Sequence, residues 1–260
     1  MPTSMKKFLK LYCKEMHDLR PEILVIIITT LVIDVYFYFK FQDMPSIVIG
    51  PLVMILGLAS LLPFISSFKL LNREFSTNTA YLLLSLPVKG GSILGSKLLA
   101  LLSQYVIGTL VVGIAGVILI SLLFPEPGLE EVISQAQAAG IDINLQSLFS
   151  MVGLFYLMSI VSIAYAIVIS FFSQLTGKLV KRFSGLITVI IFLATFWLMG
   201  KLLTPLWQQL GNFTHYYMNN HSFSVAAFNG IMGLNTLIIL LGTALVFLAA
   251  VLIYNHRIEL

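Results

Sequence analysis

Six long apolar runs constrain this chain more than any other feature of its sequence. A helix crosses the hydrocarbon core of a bilayer with about 20 apolar residues. It can do so because its backbone N–H and C=O groups are hydrogen-bonded within the helix and do not need water. The sequence therefore predicts an all-α membrane protein, a single transmembrane domain over residues 1–260 with six spans. The predicted spans are 22–41, 46–67, 92–123, 149–172, 184–204 and 231–254.

The composition argues against a soluble fold and against a nucleic-acid partner. Hydrophobic residues make up 58% of the chain and charged residues 10%, whereas a typical soluble domain has about 25% charged residues. The formal net charge is +4, but the basic residues lie in short segments between the apolar runs, which is an orientation signal. Cys13 is the only cysteine, so an internal disulfide and a cysteine metal cluster are excluded.

The distribution of lysine and arginine predicts the orientation of the spans. Thirteen of the 15 basic residues fall in the N-terminal segment, the second and fourth loops and the C-terminus, whereas Lys40 and Lys201 fall on the other side. Basic residues are enriched in loops on the cytoplasmic side. We therefore expect a multi-pass protein of the cell membrane with both termini in the cytoplasm and the loops 124–148 and 205–229 outside.

The segment 3–20 has the pattern of an amphipathic helix. Apolar side chains recur there at steps of three and four, with lysines between them, which is typical of a helix lying on a membrane surface. Pro21 then predicts a corner into the first span; a disordered basic leader is the alternative. The apolar positions are Met5, Phe8, Leu9, Tyr12, Met16 and Leu19.

The segment 73–88, between the second and third spans, predicts a short helix outside the membrane. Its apolar run 79–86 is too short to span a bilayer and stops at Pro87. Gly90 and Gly91 permit a sharp turn, and Ser92 is a suitable N-cap for the next helix. A short apolar helix outside the membrane indicates that a partner protein covers it.

This segment resembles the permeases of type 2 ABC exporters. The resemblance rests on an acid, a threonine, a leucine-rich run, Leu-Pro-Val and a lysine at the start of a span, together with the six-span layout. It implies that 73–88 couples the permease to a cytosolic ATPase subunit, with Glu74 offering charge and Phe75 and the leucines apolar contact. The predicted coupling residues are Glu74, Phe75, Thr79, Leu82, Leu83, Leu84, Leu86, Pro87 and Val88, with Lys97 following.

The same resemblance implies the partners and the activity. Two copies of the ATPase subunit and a second permease, identical or homologous, would complete the transporter in a bacterial plasma membrane, surrounded by lipid. ATP and Mg²⁺ would belong to the ATPase, and this chain would carry no cofactor and would not be an enzyme. Because the spans hold almost no fixed charge, we expect an amphipathic or hydrophobic peptide of toxin or antimicrobial type, a drug or a lipid as cargo. A cation exporter of the same family and an intramembrane enzyme are the alternatives.

Three residues inside the spans are candidates for the transport pathway. Asp34 is a carboxylate well inside the first span, where acids are costly and often functional; it binds a substrate group, proton or cation, or it is structural, as a hydrogen-bonding group or a neutral acid. Ser162 and Ser170 lie on a face of small residues with Ser159 and Ala166. Such a face permits close helix packing or lines a pathway.

Two apparent catalytic motifs do not have the spacing that their chemistry needs. Residues 90–97 nearly match a phosphate-binding P-loop, but Ser96 precedes Lys97, and the motif needs the opposite order after a strand. Glu130 and Glu131 with His215 and His221 are typical metal ligands, but all four fall in the predicted outer loops. We therefore predict no catalytic, cofactor-binding or metal-binding residue in this chain.

Overall fold

The computed structural model describes residues 3–40, 49–76, 90–123, 145–180, 183–220 and 225–257. Within those ranges it contains six α-helices and no strand. All six helices are long and apolar enough to cross a membrane, which confirms the predicted all-α fold of a multi-pass protein. They are α1 (Thr3–Lys40), α2 (Ile49–Ser76), α3 (Gly90–Leu123), α4 (Leu145–Lys178), α5 (Ser184–Asn220) and α6 (Val225–Arg257).

Every helix is longer than the apolar run that predicted it. The helices have 28 to 38 residues, which corresponds to about 42–57 Å at 1.5 Å per residue. The hydrocarbon core is only about 30 Å thick. Each helix therefore extends beyond the apolar layer by several turns, unless it is strongly tilted.

α1 continues through Pro21, so the predicted corner at this residue is wrong. Pro21 lies inside a single helix of 38 residues, although proline removes one backbone hydrogen bond. The apolar stripe before it packs against the protein: Leu19 is fully buried, and Tyr12 and Met16 contact the same core. This packing offsets the lost hydrogen bond. The location of residues 3–20 at a membrane surface stays a prediction.

α5 continues into the predicted outer loop 205–229, and α6 already begins at Val225, so the prediction is wrong for residues 205–220 and 225–229. Pro205 lies inside α5, and the Trp207 indole N–H donates to Asn235 Oδ1 of α6 at 3.0 Å. The polar residues after Pro205 predict a loop only if a helix ends where its apolar run ends, and hydropathy does not locate the end of a helix. Of the other predicted loop, residues 124–144 lie outside the described residues, and α4 already begins at Leu145.

α3 begins at Gly90, so the predicted N-cap at Ser92 is wrong. The backbone N–H of Gly90 donates to Asn255 Oδ1 of α6 at 3.1 Å, and this side chain satisfies one of the free donors of the helix start. A Cβ atom on Gly90 would collide with Tyr254 and Asn255. Close approach of α6 is therefore the reason for glycine here.

The main hydrophobic core lies at one end of the bundle, where α1, α3 and α5 begin and α2, α4 and α6 end. We call this the Glu15 end. Five helices contribute one or more buried side chains to it, among them Leu19, Leu71, Leu94, Phe171 and Tyr254. Side chains from these five helices are thus closely packed against one another at this end.

Many apolar side chains face outward from the bundle, including several toward the opposite end. Phe39, Met54 and Val117 are 74%, 75% and 68% exposed. A water-soluble protein rarely presents so large a contiguous apolar surface. In a helix of membrane-spanning length this surface suits contact with lipid or with a second apolar chain.

Candidate functional site

α1 and α3 run parallel and keep one register. Glu15 bonds to Lys97 and Glu22 to Gln104, each pair 82 residues apart in the sequence. A Cβ atom on Gly108 would touch Ile26 at 3.1 Å, which is the same offset. The absence of a side chain at Gly108 thus lets the two helices approach closely at this height.

The pair Glu15–Lys97 is a buried ion pair at the Glu15 end. Lys97 Nζ donates to Glu15 Oε1 at 2.9 Å, and the two side chains are 1% and 4% exposed. A lysine near the end of a membrane-spanning helix commonly extends its amine toward water, but Lys97 instead points into the protein. Taking two charges out of water is costly, so the attraction between them and the surrounding packing must offset that cost.

Two further acids of α1 face basic residues of α2. Lys69 Nζ donates to Glu22 Oε1 at 2.8 Å, and Arg73 Nη1 to Asp18 Oδ2 at 3.3 Å. Glu22 Oε2 also accepts from Ser66 of α2 and from Gln104 Nε2 of α3, the latter at 3.1 Å. Glu22 therefore joins three helices. We call Glu15, Asp18, Glu22, Lys69, Arg73, Lys97 and Gln104 the ion-pair cluster.

The ion-pair cluster leads directly into the predicted coupling segment. Arg73 is the first residue of 73–88, and α2 continues as a helix to Ser76. Of the predicted coupling residues, Glu74 and Phe75 lie in this last turn. The others fall outside the described residues: Thr79, Leu82, Leu83, Leu84, Leu86, Pro87 and Val88.

The predicted pathway residues do not come together. Ser170 is fully buried, and its hydroxyl hydrogen-bonds to that of Ser67 of α2 at 2.5 Å. Gln174 Nε2 reinforces the same contact by donating to the Ser67 carbonyl at 3.2 Å. Ser170 thus packs one helix on another. Ser162 instead lines an open groove between α2, α3 and α4.

Asp34 stands apart from both serines. It is 9% exposed, and neither carboxylate oxygen has a hydrogen-bond partner among the described residues. It lies 12 residues beyond Glu22, or about 18 Å along α1. It is not among the residues that line the groove at Ser162. Asp34 is therefore a buried acceptor that the described chain leaves unused.

Sequence reasoning missed the ion-pair cluster, although a signal for it was present. Glu15, Asp18 and Glu22 follow one another at steps of three and four, which places them on one face of α1. Lys97 and Gln104 repeat at a step of seven on α3, the same step as from Glu15 to Glu22. Matching polar residues at matching steps on two apolar helices indicates that these faces meet.

Comparisons of this chain with protein-family models, with curated proteins and with solved structures found no significant match. The functional argument therefore depends on the residues and their contacts.

Proposed function

We propose that this chain is the membrane subunit of an ATP-driven exporter of the type 2 ABC class. It pairs with a second permease, identical or homologous, and each permease binds one cytosolic ATPase subunit through residues 73–88. ATP and Mg²⁺ act in the ATPase, and the six helices form the pathway for an amphipathic or hydrophobic peptide, drug or lipid. The chain lies in a bacterial plasma membrane with both termini in the cytoplasm.

The observation that carries this proposal is the connection between segment 73–88 and the rest of the bundle. The pairs Glu22–Lys69 and Asp18–Arg73 connect α1 to α2 where the segment begins, and Gln104 connects Glu22 to α3. At the other end of the segment, Asn255 binds the start of α3. A push on 73–88 is thus delivered to rigid elements at both ends, as a two-state transporter requires.

A coupled-complex experiment tests the role of this segment. Replacing Leu83 and Leu84 together with Asp should detach the ATPase subunit or abolish its stimulated hydrolysis, because unpaired charges would be buried at the contact. The measurement is co-purification of the ATPase with the chain, alongside ATP turnover. The chain alone should neither bind nor hydrolyse ATP, because it has no P-loop.

The matched control replaces both leucines with Met, which keeps the apolar character and nearly the volume, and this variant should keep its partner. Expression and membrane insertion of both variants should equal those of the native chain, since the segment lies outside the spans. An Asp variant that keeps its partner and full turnover would show that the contact lies elsewhere.

Cysteine labelling tests the orientation. After Cys13→Ser, single cysteines at Lys89, Lys181 and Asp142 are treated in intact cells with a thiol reagent that does not cross membranes. The 13 to 2 distribution of basic residues predicts labelling only at position 142. Labelling at position 89 or 181 would reject the proposed topology.

One observation favours a second candidate, a cation exporter of the same class. Asp34 offers two buried carboxylate oxygens without a hydrogen-bond partner in the described chain. Oxygen atoms of this kind are the ligands that hard cations prefer. In this alternative Asp34 is indispensable for transport, whereas in the preferred function its replacement by Asn is tolerated.

A further inference from the structure

The groove at Ser162 has a mainly apolar surface, but it also receives hydroxyl groups from three helices. It has a volume of about 310 Å³ and opens on the outside of the bundle between α2, α3 and α4. Ser60, Tyr105, Ser159 and Ser162 supply the polar groups, and Phe155 and Met158 supply apolar surface. None of the described residues that line it is charged. These residues lie near the middle of α2, α3 and α4, and near the middle of the predicted spans.

All four hydroxyl groups of the groove already donate their hydrogen to the protein. Ser60 donates to the Gly57 carbonyl at 2.7 Å and Ser162 to the Met158 carbonyl at 2.8 Å. The Tyr105 hydroxyl donates to Ser159 Oγ at 2.8 Å, and Ser159 donates to the carbonyl of Tyr156 at 2.6 Å. A serine or tyrosine oxygen also carries acceptor lone pairs. Among the described residues that line it, the groove therefore offers hydroxyl acceptors and no free hydroxyl donor.

The back wall of the groove is held in a fixed position. Tyr105 is 4% exposed, and its ring stacks on that of Tyr156 with centroids 6.4 Å apart. The hydroxyls of Tyr156 and Thr109 hydrogen-bond at 2.9 Å. A binding group held by neighbours in this way recognises a ligand without first having to be ordered.

A second groove, between α1 and α2, differs from the groove at Ser162 in the side chains that line it. Its volume is about 210 Å³, and it is lined by aliphatic side chains such as Val25, Ile55 and Leu62, with Thr29 as its only polar side chain. A lipid acyl chain satisfies such a surface completely. The same acyl chain would leave the acceptors of the hydroxyl-lined groove without a donor, which is unfavourable away from water.

We propose that the groove lined by Ser60, Tyr105, Ser159 and Ser162 binds an uncharged amphiphile from the bilayer through an N–H donor of that molecule, as in a lipid-soluble amide. The absence of charge in the groove excludes an ammonium or a carboxylate as the recognised group. An amide N–H in hydrocarbon lacks an acceptor, and the groove supplies one. That this molecule is the exported cargo rests on the proposed function; its binding does not.

The test uses two photoreactive probes that differ only in the donor. One is a sixteen-carbon primary amide with a diazirine next to the amide, and the other is the matching methyl ester, which keeps the C=O but has no N–H. The full chain, purified into phosphatidylcholine nanodiscs without ATP or ATPase, is labelled with each probe and mapped by peptide mass spectrometry. We expect the amide to label residues 155–163 at least about threefold more than the ester, the ratio expected for one net hydrogen bond.

Two variants locate the effect. Ser162→Leu should fill the groove and reduce amide labelling at 155–163 at least about fivefold, in keeping with the loss of both the acceptor and the space. Ser162→Ala should reduce amide labelling toward the level of the ester while leaving ester labelling unchanged. The alanine variant keeps the test valid if the leucine variant does not fold.

Ser121→Leu is the matched control. Ser121 also donates to a carbonyl of its own helix, at 2.8 Å, but it is not among the residues that line the groove. Amide labelling of this variant at 155–163 should equal that of the native chain. Equal labelling by amide and ester at 155–163 would overturn the proposal, and so would amide labelling that Ser162→Ala leaves unchanged. Because no ATPase is present, either result is independent of the test of the proposed function.

Discussion

The acidic residues in the two halves of α1 differ in whether they have a partner among the described residues. At the Glu15 end, Glu15, Asp18 and Glu22 each contact a basic side chain within 3.3 Å. Further along the same helix, Asp34 is just as inaccessible as a core residue, yet neither of its oxygens has a hydrogen-bond partner in the described chain. The first three acids connect helices to one another, whereas Asp34 forms no hydrogen bond to any residue that the structure describes. Burial of a carboxylate in this molecule is therefore not by itself a sign of a structural role.

The largest expected effect comes from breaking the most deeply buried tie. Lys97→Met keeps most of the volume of the lysine but leaves the buried Glu15 carboxylate with only the exposed Lys14 Nζ nearby, 4.0 Å from Glu15 Oε1. Removal of one partner of a buried ion pair costs about 3–5 kcal/mol. We expect a loss of that size in the free energy of unfolding, measured by SDS titration of the purified chain in mixed micelles.

The double variant Lys97→Met with Glu15→Leu removes both charges and is the control. It should recover most of the lost stability, because apolar residues often replace a buried ion pair without loss. If Lys97→Met alone is as stable as the native chain, the Glu15–Lys97 pair contributes nothing to the free energy of unfolding. Glu15 and Asp34 would then not differ in their contribution to stability.

A smaller effect is expected from the outermost tie, Asp18–Arg73. The two side chains are 27% and 60% exposed, and exposed ion pairs contribute about 0.2–1 kcal/mol. Arg73→Gln should lower the free energy of unfolding by no more than this, and the difference should shrink as salt is added. A loss above about 2 kcal/mol, well beyond the range for exposed pairs, would mean that this contact belongs with the buried pair.

The smallest effect is expected at Asp34. Asp34→Asn keeps the shape and the hydrogen-bonding capacity but cannot ionise, and no partner of Asp34 in the described chain is lost. Stability and export by the assembled transporter, measured in inverted vesicles, should remain close to those of the native chain. Loss of export at normal expression would instead assign Asp34 to a cation or substrate site and favour the cation exporter.

The number and type of helices followed from the sequence because membrane crossing depends on length and composition alone. Helix ends did not follow from them. Residues 205–220 are polar and aromatic, and nothing in their hydropathy distinguishes a loop from a helix that projects out of the bilayer. The corner predicted at Pro21 is wrong for a related reason. The hydrogen bond that a proline removes from a helix can be predicted from the sequence. The packing of Leu19 and Met16 that offsets this loss cannot, because it depends on contacts with other helices.

Which helices contact one another could not be predicted from the pattern of each apolar segment taken alone. The sequence around Lys97 gives no sign that this lysine is buried. Its partner is Glu15 of α1, whose Oε1 lies 2.9 Å from Lys97 Nζ. Ser162 and Ser170 lie on α4 two turns apart and were grouped together, yet one lines a groove and the other is locked to Ser67. The coupling residues from Thr79 to Val88 remain predictions, since they lie outside the described residues.

The contact between Gly90 and Asn255 has a consequence for how the protein is made. The two residues are 165 positions apart in the sequence. At ribosomal speeds of about 5–20 residues per second, roughly 8–33 s separate their synthesis. For most of that interval α3 has been made, but its first turn lacks the hydrogen bond to α6. A nascent chain halted before residue 255 would therefore carry an uncapped start of α3 directly after segment 73–88.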